Sequence, residues 1–220
     1  RSRGRRHLPS RRYCGRCSPV DRGTLQGKRD AALVLLGFAT AARVSELVAV
    51  DIADLRATKT GLDTSIYRRK VKLFTENQVL YGSDPATCPV RAVEAYIEAL
   101  VAAHKEAGLD SGPLFVRVDR HDRVAARMHR RGRPIGDPLG RITPEAAAEV
   151  VNRLADRAGL EGDWTGHSLR RGFATAARAA KHDMIRIGRT GGWADGSKSL
   201  AGYMEDADRE ADSPLVGIGL

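Results

Sequence analysis

Four residues in the last quarter of the chain have types and spacing suited to phosphoryl transfer: His167, Arg170, Trp193 and Tyr203. His167 and Arg170 stand at i and i+3 in G-H-S-L-R-R-G-F, so on a helix they share one face. Trp193 follows Arg170 by 23 residues, within G-G-W, and Tyr203 follows Trp193 by 10, within A-G-Y-M. Far upstream, A-A-R-V-S-E-L supplies Arg43 with Glu46 at i+3. A phosphodiester is anionic and slow to cleave, and needs cations that meet its non-bridging oxygens as the pentacoordinate state forms. Arginine suits that task, because its planar fork grips two oxygens at once. Arg43 and Arg170, brought from distant positions, would clamp one phosphate from two sides. A tyrosine hydroxyl, with an ordinary pKa of ~10, attacks poorly until cations favour its anion or a base accepts its proton. His167, one turn from Arg170, is placed to be that base. The indole N–H of Trp193 donates and cannot accept, so its polar role is to stabilise an oxyanion. The leaving 5′ oxygen needs a proton. Lys70 and Lys72, in R-R-K-V-K, are the candidates to supply it, with Lys70 preferred as nearer the expected first turn.

These residues need elements to bring them together. Asp30 to Phe38 reads as a helix, Ala39 to Ala42 as a break, and Val44 to Val50 as helix again. Leu62 to Tyr81 is rich in β-formers and alternates polar with apolar, which predicts a small antiparallel sheet carrying the lysines in a hairpin. Pro89 opens a helix that runs to about Ala107. Leu114 to Val118 reads as a short strand, and the Arg-rich stretch 119–140 as a long basic loop. Thr143-Pro144 caps a helix that ends at Gly159. Three further helices follow: Ser168 to Ala180, Met184 to Arg189, and Ser197 to Met204. The class is mixed α/β, mainly helical with one small sheet. Residues 1–27 lack apolar periodicity and read as a disordered basic arm or linker, leaving 28–220 as the folded catalytic unit.

Taken singly, each site residue has a plainer explanation. Arg43 and Glu46 would form an i,i+3 ion pair worth a few tenths of a kcal/mol. His167 would cap a helix, Trp193 would be core, and Tyr203 would be half-buried near a helix end. Glu205, Asp206 and Asp208 suggest a metal site less than a solvated acidic face. It is the joint order and spacing that favours chemistry.

In that order and context the residues resemble the catalytic domain of the tyrosine recombinases, or phage-type integrases, from about residue 28 onward. The family pattern is an Arg in an R-x-S-E-L-type box, a hairpin Lys, H-x-x-R, then His or Trp, then a nucleophilic Tyr. It falls here on Arg43 with Glu46, on Lys70, on His167 and Arg170, on Trp193 and on Tyr203. Trp193, where most members have His, looks closest to the Cre branch. Cys88 to Val93, C-P-V-R-A-V, is similar to a helix start common in the family. The resemblance implies a mainly helical fold with a three-stranded antiparallel sheet at one edge. It also implies site-specific DNA strand exchange through a 3′-phosphotyrosyl intermediate, with no metal, ATP or other cofactor. The implied partners are double-stranded DNA and three further copies in a homo-tetramer on paired sites, the segment after Tyr203 docking on a neighbour. A cytoplasmic protein, encoded by a bacterium or phage, would fit. Two other readings stay open: a type IB topoisomerase with similar chemistry, and a non-catalytic DNA-binding remnant.

The bulk properties agree with a polyanionic partner, though unevenly. The 220 residues carry a formal net charge of +10. Residues 1–30 hold +8 of it, and the other 190 only +2. With 42% hydrophobic residues the chain can bury one sizeable core. Residue 1 is Arg rather than Met, which reads as either an engineered start or a piece of something longer. The three cysteines, Cys14, Cys17 and Cys88, fit neither a disulfide scaffold nor a four-ligand zinc site. No apolar run approaches the ~20 residues of a membrane span.

Overall fold

A computed structural model describes residues 20–104, 112–125 and 128–211. Residues 1–19 of the expected basic arm, with Cys14 and Cys17, lie outside the described residues. Residues 20–27 are part of the folded unit. Helix α1 (Leu25–Ala39) starts five residues before the expected Asp30. The Thr24 side chain caps it by accepting from Gly27 N, and the Asp122 carboxylate accepts from Leu25 N and Gln26 N at 2.8 Å each. Two caps satisfy donors that the first helical turn otherwise leaves orphaned. The apolar run of α1 is buried nearly all round, as a central helix requires.

The other elements wrap around α1. Helix α2 (Val44–Leu47) is a single turn where a longer helix was expected, and the chain then reaches strand β1 (Leu55–Thr58). Strands β1, β2 (Gly61–Arg68) and β3 (Leu73–Leu80) form an antiparallel sheet in that order. In β2 the inward positions are Leu62, Thr64, Ile66 and Arg68, the period-2 alternation of a half-buried strand. Helix α3 (Pro89–Ala103) has the Cys88 thiol as its cap and Pro89 in its first turn. Cys88 Sγ accepts from Gly82 N and Arg91 N, so this buried cysteine has a structural post.

Leu114 to Val118 is not a ladder strand. Its bridges go to three separate segments, through Pro113 to Asp51, Val116 to Arg141 and Val118 to Val124, so no ladder forms. The expected loop 119–140 contains a hairpin, β4 (Met128–Arg130) with β5 (Arg133–Ile135). Arg131 and Gly132 between them both have positive φ, 51° and 75°, the backbone that two-residue hairpin turns demand. An Arg-Gly turn lacks the usual Asn-Gly signature, which is why sequence reading missed it.

The last four helices are α4 (Pro144–Arg157), α5 (Gly166–Ala179), α6 (Met184–Gly191) and α7 (Lys198–Ala211). Buried Asp30 on α1 accepts from Arg29 and from Arg153 Nη2 at 2.6 Å, which ties α4 to α1. A β-carbon at Gly37 would stand 2.8 Å from Leu47, and one at Gly166 only 2.1 Å from Val44. These glycines let α1 and the start of α5 close on α2. A small second core of Ala174, Ile187, Leu200 and Met204 joins α5, α6 and α7, with Trp193 and Tyr203 packed on it. Among the described residues, no helix is long and apolar enough to cross a membrane.

Candidate active site

The site forms where α1 and α6 end side by side. Both terminate in left-handed backbone, at Ala41 (φ 48°) and Gly192 (φ 63°). Their last carbonyls point into one buried space and need donors. Two arginines supply them in parallel. Arg68 Nη2 donates to Thr40 O at 3.0 Å and Thr190 O at 2.9 Å. Arg170 Nη1 donates to Ala41 O at 2.6 Å and Gly191 O at 2.5 Å. Each arginine therefore grips the same two stretches, one residue apart. Cations are favourable at helix C-termini, where the macrodipole is negative.

Glu46 balances this positive cluster. It is 1% exposed and accepts from Arg43 N, Arg43 Nη1 (2.5 Å) and Arg68 Nη1 (3.2 Å). Burial pushes its carboxyl pKa up, but the Arg43 hydrogen bonds and the Arg43 and Arg68 charges outweigh that and hold it below the usual value. Arg43 caps α2 and keeps its side chain partly accessible, at 24%. Arg68 is completely buried, and burial leads the causes that lower its pKa.

Arg170 is 3% exposed, and its guanidinium carbon lies 3.5 Å from the Trp193 ring centroid. The indole roofs the cation, and Nη2 beneath it is buried without a hydrogen-bond partner among the described residues. Burial first, then the Arg43 and Arg68 charges, lower the Arg170 pKa to about 9. Trp193 meets the Tyr203 ring edge-on, with centroids 6.4 Å apart at 71°. The Arg171 guanidinium carbon also lies over the Tyr203 ring, 5.4 Å from its centroid. A shallow cleft of about 180 Å³ is lined by Tyr203, His167, Asp163, Thr165, Ser168 and Arg171.

The structure thus places the Arg43–Glu46 pair two residues after Ala41, whose carbonyl accepts from Arg170, and carries on from Arg170 to Trp193 and Tyr203, with His167 and Tyr203 lining one cleft. His167 is in the first turn of α5 and does not cap it. Thr165 is the cap, its side chain accepting from His167 N, and Ser168 Oγ accepts from Thr165 N in return. Lys70 and Lys72 are both exposed, in the β2–β3 turn at residues 69–72. Neither makes a side-chain hydrogen bond or ion pair among the described residues, and Lys72 has a positive φ of 52°. Asp208, weighed above as a metal ligand, instead pairs with Arg178 through bonds of 2.8 and 3.1 Å, joining α7 to α5.

Sequence reasoning missed Arg68. The signal was present, because the alternation that buries Leu62, Thr64 and Ile66 puts residue 68 on the same inward face. Its charge made it look like part of the exposed basic turn.

The phage integrase family model matches residues 20–210. This chain belongs to the phage integrase family. An integrase/recombinase XerD homologue from Selenomonas ruminantium is 32% identical over 168 residues, covering 74% of this chain and 43% of that protein. Among solved structures, the XerH site-specific recombinase bound to a palindromic difH substrate superposes with a TM-score of 0.64 at 15% identity, over 93% of this chain and 50% of that one. XerA recombinase gives 0.62 at 19% identity, over 95% and 62%. A λ integrase dimer bound to a COC′ core site gives 0.62 at 16%, over 97% and 52%. The chain spans about half the length of most of these relatives, and it shares with them the mainly helical tyrosine-recombinase fold with its small antiparallel sheet.

Proposed function

We propose that this chain is the DNA-cleaving and rejoining unit of a site-specific recombinase, with residues 28–220, extended back to the start of α1, as the catalytic domain. The observation that carries the reading is the convergence of the Arg43–Glu46 pair at the start of α2, Arg170 on α5, Trp193 just after α6 and Tyr203 on α7, with Arg170 bonded to Ala41 O two residues before Arg43 and stacked on Trp193, which meets Tyr203. Arg43 and Arg170 are the cations for the non-bridging oxygens. Glu46, buried and bonded to Arg43 and Arg68, fixes the Arg43 fork. His167, across the cleft, is the base for the Tyr203 proton. The Tyr203 oxygen forms a bond to phosphorus as the bond to the 5′ oxygen breaks, giving a 3′-phosphotyrosyl link. Lys70, or Lys72, gives its proton to the departing 5′ oxygen. Both lie at the tip of the hairpin, where DNA would have to bring them over the site. A 5′-hydroxyl from a partner duplex then attacks the phosphotyrosine and regenerates Tyr203.

The two arginines supply the charge that a metal would otherwise supply, and the phosphotyrosine conserves the bond energy. Neither metal nor ATP enters this reading. Trp193 acts as the stacked, hydrogen-bond-donating residue in the Cre-like position. Because Trp193 roofs Arg170, a phosphate reaches the Arg170 fork only when the indole slides aside. Paired duplexes imply a tetramer of the parent protein, as in the λ integrase tetramer solved on a Holliday junction. A bacterial or phage origin and a cytoplasmic location fit the same reading.

The test is a duplex nicked close to the scissile phosphate, so that cleavage releases a short strand and traps the adduct. Wild type should yield a denaturant-resistant protein–DNA species, and Tyr203→Phe should yield none while still binding. An adduct that persists in Tyr203→Phe would remove Tyr203 from the role.

A further inference from the structure

We infer that Arg68 is a positioning residue for this reaction, locking the base of the lysine-bearing β2–β3 hairpin onto the backbone that frames Arg170 and Trp193. The inference rests on the function proposed above and concerns a residue outside the Arg43-to-Tyr203 set. Arg68 is the last residue of β2, two residues before Lys70. It is wholly buried, so it cannot touch a phosphate itself. Every donor nitrogen of its fork is engaged. Nε donates to Thr75 Oγ1 on β3 (2.8 Å), Nη1 to Glu46 Oε2 (3.2 Å), and Nη2 to Thr40 O and Thr190 O.

The surroundings are built for this guanidinium. Asn77 of β3, with its amide oriented to satisfy both ends, donates to Thr190 O (2.8 Å) and accepts from Arg68 Nη2 (3.3 Å). The backbone of Gly192 lies against the Arg68 stem, and a β-carbon there would stand 2.9 Å from Arg68 Cγ. One planar side chain thus joins both strands of the hairpin, the carboxylate that holds Arg43, and the turn that carries Trp193. A lysine has neither the planar fork nor the donor count to make these bonds together. Beyond Arg68, Arg69, Lys70 and Lys72 of the turn are exposed. Its approach to the site is therefore set from its base, and small misplacements of a reacting group cost rate heavily, ~10²-fold for about 1 Å.

The experiment compares the wild-type chain of 220 residues with Arg68→Lys and Arg68→Gln on two nicked duplexes. One has the normal 5′ oxygen at the scissile phosphate and the other a 5′-bridging sulfur. A thiolate leaves without needing a proton, so the second duplex bypasses whatever the hairpin lysine supplies. Folding is checked by thermal melts. Arg68→Lys keeps a charge for Glu46 and carries the test if Arg68→Gln does not fold. The expected result is a fall in single-turnover cleavage of about 10²-fold on the oxygen duplex with little change in DNA affinity, and recovery to near the wild-type rate on the sulfur duplex. Equal loss on both duplexes, loss through affinity alone, or no loss in a folded Arg68→Lys would overturn the inference. Failure of wild type to form an adduct on either duplex would instead overturn the proposed function, and this inference with it.

Discussion

Arg170 lies beneath Trp193, its guanidinium carbon 3.5 Å from the ring centroid, with Nη2 buried and unpartnered among the described residues. A cation stacked on an indole gains ~0.5–2 kcal/mol, more as water is excluded. A buried donor left without an acceptor costs about 1–3 kcal/mol. The two terms are of similar size and opposite sign, so the stacked arrangement is poised. An anionic oxygen that satisfies Nη2 tips the balance away from the closed stack. DNA binding should therefore move Trp193 and change its fluorescence, against a steady background from Trp164, which is buried with Nε1 bonded to Leu160 O. Arg170→Gln should abolish the DNA-dependent change. An unchanged Trp193 signal on saturation with duplex would show that the stack stays shut.

The turn that holds Trp193 gives a second way to test the same contact. A β-carbon on Gly191 would sit 1.9 Å from the Trp193 ring, inside any real contact. Gly191→Ala must displace the indole, because the atoms it would meet belong to a rigid ring. The expected outcome is a folded protein with altered near-ultraviolet circular dichroism, cut in cleavage by about 10²-fold, the scale of a misplaced transition-state donor. Retention of both the spectrum and the rate would mean that the turn relaxes without moving Trp193.

The depressed Arg170 pKa predicts a pH dependence with a definite sign. In the free protein Arg170 loses its proton as pH rises through about 9, because burial and the neighbouring Arg43 and Arg68 charges disfavour the cation. A bound phosphate favours the cation and raises the pKa again. Binding at pH 9–10 should then take up protons, and affinity should fall as pH rises through that range. Calorimetry in buffers of different ionisation enthalpy measures the uptake, and Arg170→Gln should lack it. Stability runs the other way for this group. Above about 9 the unfolded chain binds the extra proton, so the Arg170 contribution to stability becomes less unfavourable as pH rises. Proton uptake equal in wild type and Arg170→Gln would contradict the assignment.

Glu46 makes the complementary prediction at acid pH. Its folded pKa lies below its unfolded one, so its contribution to stability is present above the unfolded value and is lost as pH falls through the folded one. Removing it leaves Arg68 as an unpaired buried cation. Breaking one side of such a pair costs about 3–5 kcal/mol. Glu46→Gln should lower the thermal midpoint at pH 7 and flatten the acid limb of the stability curve. A variant as stable as wild type would place Arg68 in water and contradict its buried geometry.

How much of this was legible beforehand depends on what each residue's neighbours in sequence reveal. The helices of the C-terminal half were readable from caps: Thr143-Pro144 and Gly159 bracket α4, and the helical spacing of His167 and Arg170 placed them on α5. Gly192 closes α6 in left-handed backbone and sets up Trp193, as G-G-W suggests. What was hidden depends on partners far along the chain. Arg68 finds Glu46, Thr40 and Thr190, separated from it by 22, 28 and 122 residues, and no local pattern announces such bonds. Helix α1 starts early because Asp122 caps it from 97 residues away. The hairpin turn Arg131-Gly132 has the backbone of an Asn-Gly turn without its sequence, so a basic loop concealed two strands.

That early start of α1 changes how the basic N-terminal segment should be tested. A deletion of residues 1–27, the boundary suggested by composition, removes the Thr24 cap, the donors bonded to Asp122 and buried Leu25. Losing a cap alone costs about 0.5–2 kcal/mol. Such a protein should melt early, and weak DNA binding by it would say nothing about charge. Deleting only residues 1–19 leaves every described contact in place and removes seven arginines. If those arginines neutralise phosphates, each one engaged steepens the log–log salt slope by ~0.9, so the shorter deletion should flatten the slope on any duplex while Tyr203 chemistry and the melting midpoint hold. Equal slopes for the full chain and the 1–19 deletion would show that the positive charge of this segment does not meet DNA, and that the folded site alone supplies the affinity.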